Sequence, residues 1–404
     1  MGGTQAIPAA ADSGERLWRL AWTFALILVA LLFVQDLFAT RLTPWPSIRG
    51  QAIWGRDFAN VWTSGRLLLE GRLDQLYDLE AYGAYQAELF DGALRAHNYS
   101  YPPPTLLYGW AFGLLPYPVA FLSWLALTGT AFAFAARPYL RDAGLPAWLA
   151  LAAPATLLNV WAGHYGLLIG ALWLGAFHLL PRRPILAGAL IGLMLVKPHL
   201  AILAPLILAR RGEWRAFAAA AATAAALAIL SALVFGPELW RTWLSVTVGV
   251  QTAMVDDVGT YFLTMMPTIV PTVSAFGFPG AVAWALQIAA AAAAIAMLLV
   301  HMPGESRAAG LAGGVATFLV LPYAFNYDMT VVGLAALLML ARLRREPESG
   351  SSFLLLLAFL LPLIVQTFGL LHLPAPALIL AALLALMLRQ DRPAALKPGT
   401  AVAA

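Results

Sequence analysis

The stretch "RLWRLAWTFALILVALLFVQDLF", residues 16 to 38, decides the class of fold. Arg16 and Arg19 precede an apolar run that extends from Leu20 to Phe38. A helix needs about 20 predominantly apolar residues to cross the hydrocarbon core of a bilayer, and this run is long enough. No clear small-residue cleavage site follows it, so the sequence predicts an uncleaved first membrane span rather than a secretory signal peptide.

The composition of the whole chain agrees with a membrane location. Of its 404 residues, 61% are hydrophobic and only 11% are charged, whereas a soluble domain carries about 25% charged residues. The chain contains no cysteine, which excludes disulfides, thiolate metal sites and cysteine nucleophiles. The six histidines show no metal-ligand spacing and the chain has no phosphate-binding P-loop. We therefore expect no metal, no cofactor and no nucleic-acid partner.

The spacing of the apolar runs predicts an all-α polytopic membrane protein with about 12 transmembrane helices. The predicted spans are 17–38, 118–136, 145–161, 165–180, 184–196, 199–210, 216–235, 279–300, 308–323, 327–341, 352–370 and 374–388. Two shorter apolar segments, 103–115 and 267–277, are bracketed by prolines, which favours half-helices or re-entrant segments. We expect residues 1–16 to form a disordered cytoplasmic tail, 17–390 a single transmembrane domain and 391–404 a second cytoplasmic tail.

The arginines orient this arrangement, because their clusters fall at alternate turns between the predicted spans. Placing every cluster in the cytoplasm satisfies the positive-inside rule, with both termini inside. The long outer loops are then 39–101 and 236–278. Amphipathic stretches in the first of these loops predict helices that lie on the membrane surface and contact its lipids. We expect a multi-pass protein of the bacterial inner membrane.

This orientation collects the chemically interesting polar residues at the outer, periplasmic ends of the spans. They are Asp57, Asn98, Tyr99, Tyr101, His164, Lys197, His199, Asp256, Asp257, Asn326, Asp328 and His372. Polar groups gathered at one membrane face predict a site there.

Asp57, in "WGRDFANVW" (residues 54–62), has two interpretations that do not exclude each other. An apolar helical pattern begins directly after it, and Asp is a favoured N-cap residue. As a carboxylate beside an outer cavity, it also suits a general base that accepts a proton from a hydroxyl. Arg56 beside it either holds Asp57 ionised or meets lipid phosphates.

Lys197, in "MLVKPHL" (residues 194–200), is a lone cation between two apolar runs. A lysine at a helix end often extends its ammonium to the interface. Its outer position gives it no part in the positive-inside rule, so we also consider it as a ligand for a lipid-linked phosphate. His199 supplies a second possible donor, although a lone histidine at a helix end is more often structural.

Three further segments carry candidate site residues. Tyr101 in "YSYPPPTLLYGW" is either an interfacial tyrosine or part of a sugar pocket. His164 lies in a tight outer turn with flanking glycines, where a structural role is the commoner outcome. The segment "PYAFNYDMT" places Asn326, Tyr327 and Asp328 at the outer start of a span, where Asp328 also fits a helix cap.

Four blocks in order resemble glycosyltransferase family 87. After the Asp–Phe of the first outer loop come "GRLLLEGRLDQLYD" (65–78), "YSYPPPTLLYGWAFGLLP" (99–116), "AGALIGLMLVKPHL" (187–200) and "LPYAFNYDMTVVGLAALL" (321–338). The resemblance covers about residues 50 to 340. It implies a GT-C fold and a polyprenol-phosphate-mannose-dependent α-mannosyltransferase type of enzyme. No single block is specific, but four in order are.

The resemblance also implies roles for individual residues. The family's catalytic Asp corresponds to Asp57, and its Lys–Pro block corresponds to Lys197 and Pro198. A polyprenyl-phosphate-linked sugar would be the donor and co-substrate, and a glycolipid or glycan hydroxyl would be the acceptor. Inversion at the anomeric carbon needs only one base acting on the acceptor. One departure is that Gly163–His164 stands where we expect Gly–Gln, which alters contacts in that turn.

Two other classes of function remain open from the residues alone. A secondary transporter or lipid flippase would show repeated halves and ionisable residues at mid-membrane, and we find neither pattern. A non-catalytic envelope-assembly protein would use Asp57 only as a helix cap. Release of polyprenyl phosphate from the donor distinguishes an enzyme from both.

Overall fold

The chain folds into helices joined by short connections. A computed structural model describes residues 6–39, 53–92, 94, 98–256, 261–345 and 351–390. Throughout these ranges it contains no strand, which confirms the predicted all-α class. The α-helices are α1 (Ala6–Ala39), α2 (Phe58–Leu69), α3 (Leu79–Leu89), α4 (Leu106–Gly113), α5 (Tyr117–Asp142), α6 (Leu149–Ala152), α7 (Pro154–Ala162), α8 (Gly166–Leu179), α9 (Pro184–Leu193), α10 (Ala204–Arg210), α11 (Trp214–Phe235), α12 (Pro237–Asp256), α13 (Ile269–Ala275), α14 (Gly280–Val300), α15 (Ser306–Val320), α16 (Thr330–Arg345), α17 (Ser352–Leu370) and α18 (Ala375–Gln390).

Among the described residues, five helices are long and apolar enough to cross a membrane, namely most of α1 and all of α5, α11, α14 and α17. Shorter apolar helical segments occupy several other predicted spans: Gly166–Leu179, Pro184–Val196, Pro198–Arg210, Ser306–Val320 and Ala375–Arg389. Together they support a membrane protein, but these lengths do not confirm the predicted count of about 12 spans.

Proline divides one predicted span. Residues 145–161 contain two helices, α6 and α7, because Pro154 begins the second one. Ala153 before it is extended, with φ −64° and ψ 145°. A residue that precedes proline is disfavoured in the helical region, since the proline ring crowds its backbone. The break therefore follows from the sequence of the span itself.

The N-terminal segment also differs from expectation. Helix α1 begins at Ala6, inside the segment 1–16 that we predicted to be a disordered tail. Alanine is the strongest helix former, and this segment contains three consecutive alanines at positions 9–11. Residues 391–404, the second predicted tail, lie outside the described residues, as do 40–52 and 257–260 of the two long loops, including Asp257.

The prediction that the first loop carries surface helices is wrong for α2. Phe58, Val61 and Leu67 are buried, and so are polar side chains such as Thr63 on another face of the helix. Helix α2 packs on α4 so closely that a Cβ added to Gly65 would overlap the carbonyl oxygen of Gly109. Neighbouring helices therefore cover α2 on several sides, whereas the amphipathic pattern predicted only one covered face.

Helix α4 accounts for one of the two predicted half-helices. Its eight residues span about 12 Å at 1.5 Å per residue, far less than the hydrocarbon core. It follows a 3-10 turn at Pro103–Thr105 and packs against α2 and α5. The other short apolar segment, 267–277, contains α13, which has seven residues.

The two ends of the helix bundle differ in chemistry. At one end, Arg344 pairs with Glu15, Arg307 pairs with Asp142, and Arg211 donates to the carbonyl oxygen of Pro303. Helix α15 starts at this basic end and leads, over a length of about 22 Å, to the connection at 321–329 on the opposite end. Helix α16 returns from there to the basic end, so the arginines and this connection lie far apart.

Candidate active site

The candidate site lies where four connections meet at the end of the bundle away from the arginines. They are the loop before α2, the turn between α7 and α8, the break after α9 and the 3-10 turn Asn326–Asp328. Each interruption has a local cause in the sequence. The break after α9, for example, falls at Lys197, which precedes Pro198 and has φ −148° and ψ 68°.

A buried ion pair joins two of these interruptions across 131 residues of sequence. The Lys197 ammonium donates to both carboxylate oxygens of Asp328, at 2.6 Å each. The two side chains are only 7% and 0% exposed. An isolated buried charge is strongly unfavourable, so each of these groups needs the other. The Lys197 ammonium is consequently already neutralised by a carboxylate.

His164 contacts this ion pair from the α7–α8 turn. Its Nδ1 lies 3.4 Å from the Lys197 ammonium and 3.5 Å from a carboxylate oxygen of Asp328. Its ring stacks on Tyr327, with centroids 4.1 Å apart. Burial, followed by the positive charge of Lys197, lowers the pKa of His164 below its ordinary value. The imidazole is therefore neutral at pH 7.

Tyr101 extends the network on the other side of the imidazole. Its hydroxyl lies 2.8 Å from Nε2 of His164, and its backbone oxygen accepts a hydrogen bond from the Tyr77 hydroxyl at 2.7 Å. Burial, and after it the charges of Asp57 and Asp328, raise the pKa of Tyr101 well above its ordinary value. The hydroxyl stays protonated, and both carboxylates act on it electrostatically.

The loop that carries Asp57 is docked on the His164 turn. The Asp57 backbone N–H donates to the carbonyl oxygen of Ala162 at 3.1 Å. Gly55 and Gly163 both have positive φ, +66° and +72°, and a Cβ on Gly163 would lie 2.8 Å from the Cβ of Phe58. The Tyr117 hydroxyl holds the same loop through the carbonyl oxygen of Gly55 at 2.9 Å. Two glycines thus allow the loop and the turn to touch.

The Asp57 side chain does not act as the predicted N-cap. Asp57 directly precedes α2, but it has helical backbone angles and its carboxylate makes no capping hydrogen bond. An N-cap side chain accepts from a backbone N–H in the first helical turn. Its negative charge acts on Tyr101 and His164 instead, so the carboxylate faces the cluster of site residues.

Arg56 brings a second cation to the site. Its guanidinium lies 4.8 Å from the centroid of the Trp161 ring and 4.0 Å from the sulfur of Met265. Across the described ranges it forms no ion pair, and its buried Nε has no hydrogen-bond partner. The two cations therefore differ in their partners. Lys197 contacts a carboxylate, whereas Arg56 contacts an aromatic ring and a thioether.

The comparisons with known proteins identify the family. The family model for glycosyltransferase family 87 matches residues 99–322, more than half of the chain. The chain belongs to glycosyltransferase family 87. It is thus a membrane glycosyltransferase, which acts on a sugar donor and an acceptor. Comparison with curated proteins and with solved structures found no match.

The matched range divides the site of this glycosyltransferase. Tyr101, His164, Lys197 and His199 lie inside residues 99–322, whereas Arg56, Asp57 and the Asn326–Asp328 turn lie outside it. The structure nevertheless brings members of both groups together, because the loop before α2 contacts the α7–α8 turn and Asp328 contacts Lys197. The site is therefore assembled around the matched part of the chain.

Two predicted residues of the glycosyltransferase make their direct contacts outside this cluster. His199 is half-buried, with its ring 5.4 Å from that of Tyr323. Asn326 donates to the carbonyl oxygen of Pro362 at 3.0 Å, a contact that fastens the 3-10 turn to α17. The sequence interpretation missed Asn159, which donates to the carbonyl oxygen of Tyr327 at 2.9 Å. A helical asparagine carries no sequence signal for so distant a partner.

The expectation that the site needs no metal stays a prediction. Within the described residues, no group of three or more His, Cys, Asp or Glu side chains could hold a metal ion. Asp328 and His164 do lie together, but Lys197 occupies the position between them that a cation would take.

Proposed function

We propose that this enzyme transfers a sugar, most simply mannose, from a polyprenyl-phosphate donor to a hydroxyl of a glycolipid or glycan. The reaction inverts the anomeric carbon and takes place on the periplasmic face of the bacterial inner membrane, within a GT-C fold. The observation that carries the proposal is the position of the adjacent residues Arg56 and Asp57. Their loop contacts the His164 turn, at the end of the bundle opposite the basic end. If the arginines face the cytoplasm, this end faces outward.

The chemistry requires one base and one phosphate ligand. The acceptor oxygen attacks the anomeric carbon and passes its proton to the Asp57 carboxylate. The bond between that carbon and the phosphate oxygen breaks, and its electron pair leaves with the polyprenyl phosphate. A second carboxylate is unnecessary, because the phosphate departs without being protonated and a single displacement needs no carboxylate nucleophile. A general base of this kind contributes about 10²–10⁴-fold in rate.

Asp57 suits the role of base better than Asp328 does. Both oxygens of Asp328 accept from the Lys197 ammonium at 2.6 Å. A proton taken up by Asp328 would remove the charge that Lys197 needs in its buried position. That leaves Asp57, in the loop docked on the His164 turn, as the carboxylate for this role.

Arg56 is the better candidate for the donor phosphate. Sequence analysis considered Lys197 for this role, but its ammonium is already bound to a carboxylate. A guanidinium binds phosphate through two parallel hydrogen bonds and stays charged. We assign Arg56 to the phosphate, and we assign the Lys197–Asp328 pair to hold His164 and Tyr101 as sugar-hydroxyl ligands.

The test of the proposal compares Asp57→Asn with Asp74→Asn. Asp74 is an exposed residue of the same loop region, so the second variant controls for loss of the same charge. We expect Asp57→Asn in proteoliposomes to release polyprenyl phosphate from radiolabelled donor about 10²–10⁴-fold more slowly, and Asp74→Asn to behave as wild type. Turnover by Asp57→Asn near that of wild type would refute the assignment of the base.

A further inference from the structure

A groove separate from the candidate site lies toward the basic end of the bundle. It has a volume of about 610 Å³ and lies between α5, α8 and α9. Its floor is formed in part by Ala135, Ala171 and Gly175, and Phe134 and Leu190 flank them. Small side chains on two packed helices leave room that larger neighbours do not fill, so the hollow is apolar along its length.

Three arginines stand at the mouth of the groove. Arg137 and Arg141 come from the last turns of α5, and Arg182 comes from the connection between α8 and α9. All three side chains are exposed. Within the described ranges Arg137 and Arg182 have no ion-pair partner, and Arg141 contacts the adjacent Asp142 at 3.4 Å. The mouth therefore carries positive charge without a matching carboxylate cluster.

We propose that this groove binds an anionic phospholipid of the surrounding bilayer. One acyl chain lies along the apolar floor, and the phosphate of the headgroup binds the arginines. Guanidinium groups bind phosphate oxygens through paired, charge-assisted hydrogen bonds. Basic pockets between transmembrane helices are a known kind of site for anionic headgroups. A hollow facing acyl chains fills with one of them, because an empty hollow loses dispersion contacts.

The groove fits a ligand that has both an acyl chain and an anionic headgroup. The positive-inside rule alone accounts for arginines at this end, but Arg183, next to Arg182 and equally exposed, does not line the groove. A water-soluble phosphate would use the mouth and leave the floor empty. A zwitterionic lipid would fill the floor, but its own ammonium would offset the charge that the arginines attract.

The experiment uses the full-length protein, delipidated in detergent. Native mass spectrometry measures binding of phosphatidylglycerol, phosphatidylcholine with the same chains, and glycerol 3-phosphate. The variant Arg137→Gln/Arg182→Gln is compared with Arg183→Gln/Arg210→Gln, which removes the same charge outside the groove. A third variant, Ala171→Leu, fills the floor and keeps every arginine.

We expect wild type to bind phosphatidylglycerol saturably and to prefer it over phosphatidylcholine. The Arg137/Arg182 variant should bind it on the order of tenfold more weakly, Ala171→Leu should also bind more weakly, and the control variant should stay within about twofold. Equal binding of phosphatidylcholine, equal binding of glycerol 3-phosphate, or an equal loss in the control variant would each overturn the proposal. Displacement of phosphatidylglycerol by lower concentrations of polyprenyl phosphate would overturn it as well, by assigning the groove to another lipid.

Discussion

Two ion pairs of the same length lie at opposite ends of this glycosyltransferase. Lys197 and Asp328 are 2.6 Å apart and 7% and 0% exposed, whereas Arg307 and Asp142 are 2.6 Å apart and 24% and 46% exposed. An exposed pair contributes about 0–1 kcal/mol, because water solvates both partners when they separate. A buried pair has no such alternative, so breaking it leaves a charge in a low-dielectric interior. The cost of breaking each pair therefore depends on its burial and not on its length.

The largest expected effect comes from breaking the buried pair on one side. Lys197→Met leaves the Asp328 carboxylate buried and alone, which should destabilise the protein by about 3–5 kcal/mol. The measurement is thermal unfolding of the detergent-solubilised protein. The double variant Lys197→Met/Asp328→Leu removes both charges and should recover most of the lost stability, while sugar transfer stays impaired. Equal stability of Lys197→Met and wild type would show that the buried pair does not stabilise the fold.

The next largest effect is on catalysis and concerns Arg56, which belongs to neither of these two ion pairs. Arg56→Gln removes the proposed phosphate ligand without breaking an ion pair, so stability should change little. A hydrogen bond to a charged group contributes about 1.5–3 kcal/mol, so kcat/KM for the polyprenyl-phosphate donor should fall by about 10- to 150-fold. Arg56→Lys keeps the charge and loses the paired geometry, and we expect an intermediate value. An unchanged donor KM and kcat in Arg56→Gln would return the phosphate role to Lys197.

The pH dependence of stability probes His164, which touches the buried pair. The pKa of His164 in the folded protein is below its ordinary value, which is about 6.5. The unfolded chain therefore takes up a proton as the pH falls below that value while the folded protein does not, so the free energy of unfolding decreases. The loss is at most about 1.4 kcal/mol per pH unit. His164→Gln should flatten the fall of the unfolding temperature between pH 7.5 and 5, and an unchanged slope would contradict it.

The smallest effect belongs to the exposed pair. Arg307→Gln breaks the ion pairs of Arg307 with Asp142 and with Glu305, while Arg141 still contacts Asp142. We expect a loss of stability below about 1 kcal/mol, decreasing further at high salt. Thermal unfolding in low and high salt gives both values. A loss as large as that of Lys197→Met would refute the contrast between the two ends of the molecule.

The candidate site residues could be predicted individually from the sequence, because charged residues are scarce in this chain. In an apolar background, Asp57, Lys197 and Asp328 stand out without further information. Their pairing was not predictable, since Lys197 and Asp328 are 131 residues apart and no periodicity links them. A lone lysine therefore looked like a free phosphate ligand, and only the tertiary contacts reveal that a carboxylate already binds it.

The fold, too, could be predicted from the sequence only in part. The all-α class follows from runs of apolar residues long enough to cross a bilayer. The position of α2 does not follow from the sequence. An amphipathic pattern predicts one apolar face but does not predict what covers the opposite face. Small residues at Gly65 and Gly109 let the two backbones meet, and glycines are too common in this chain, at 33, for a sequence to single out that pair.

The Lys197–Asp328 contact also limits how the enzyme can move. It fastens the break between α9 and α10 to the connection between α15 and α16. Sliding these two parts of the bundle past each other would separate the charges, so we expect them to travel as one rigid body through the catalytic cycle. If the donor carries a polyprenyl chain, as proposed, its admission depends on displacement of other parts of the bundle.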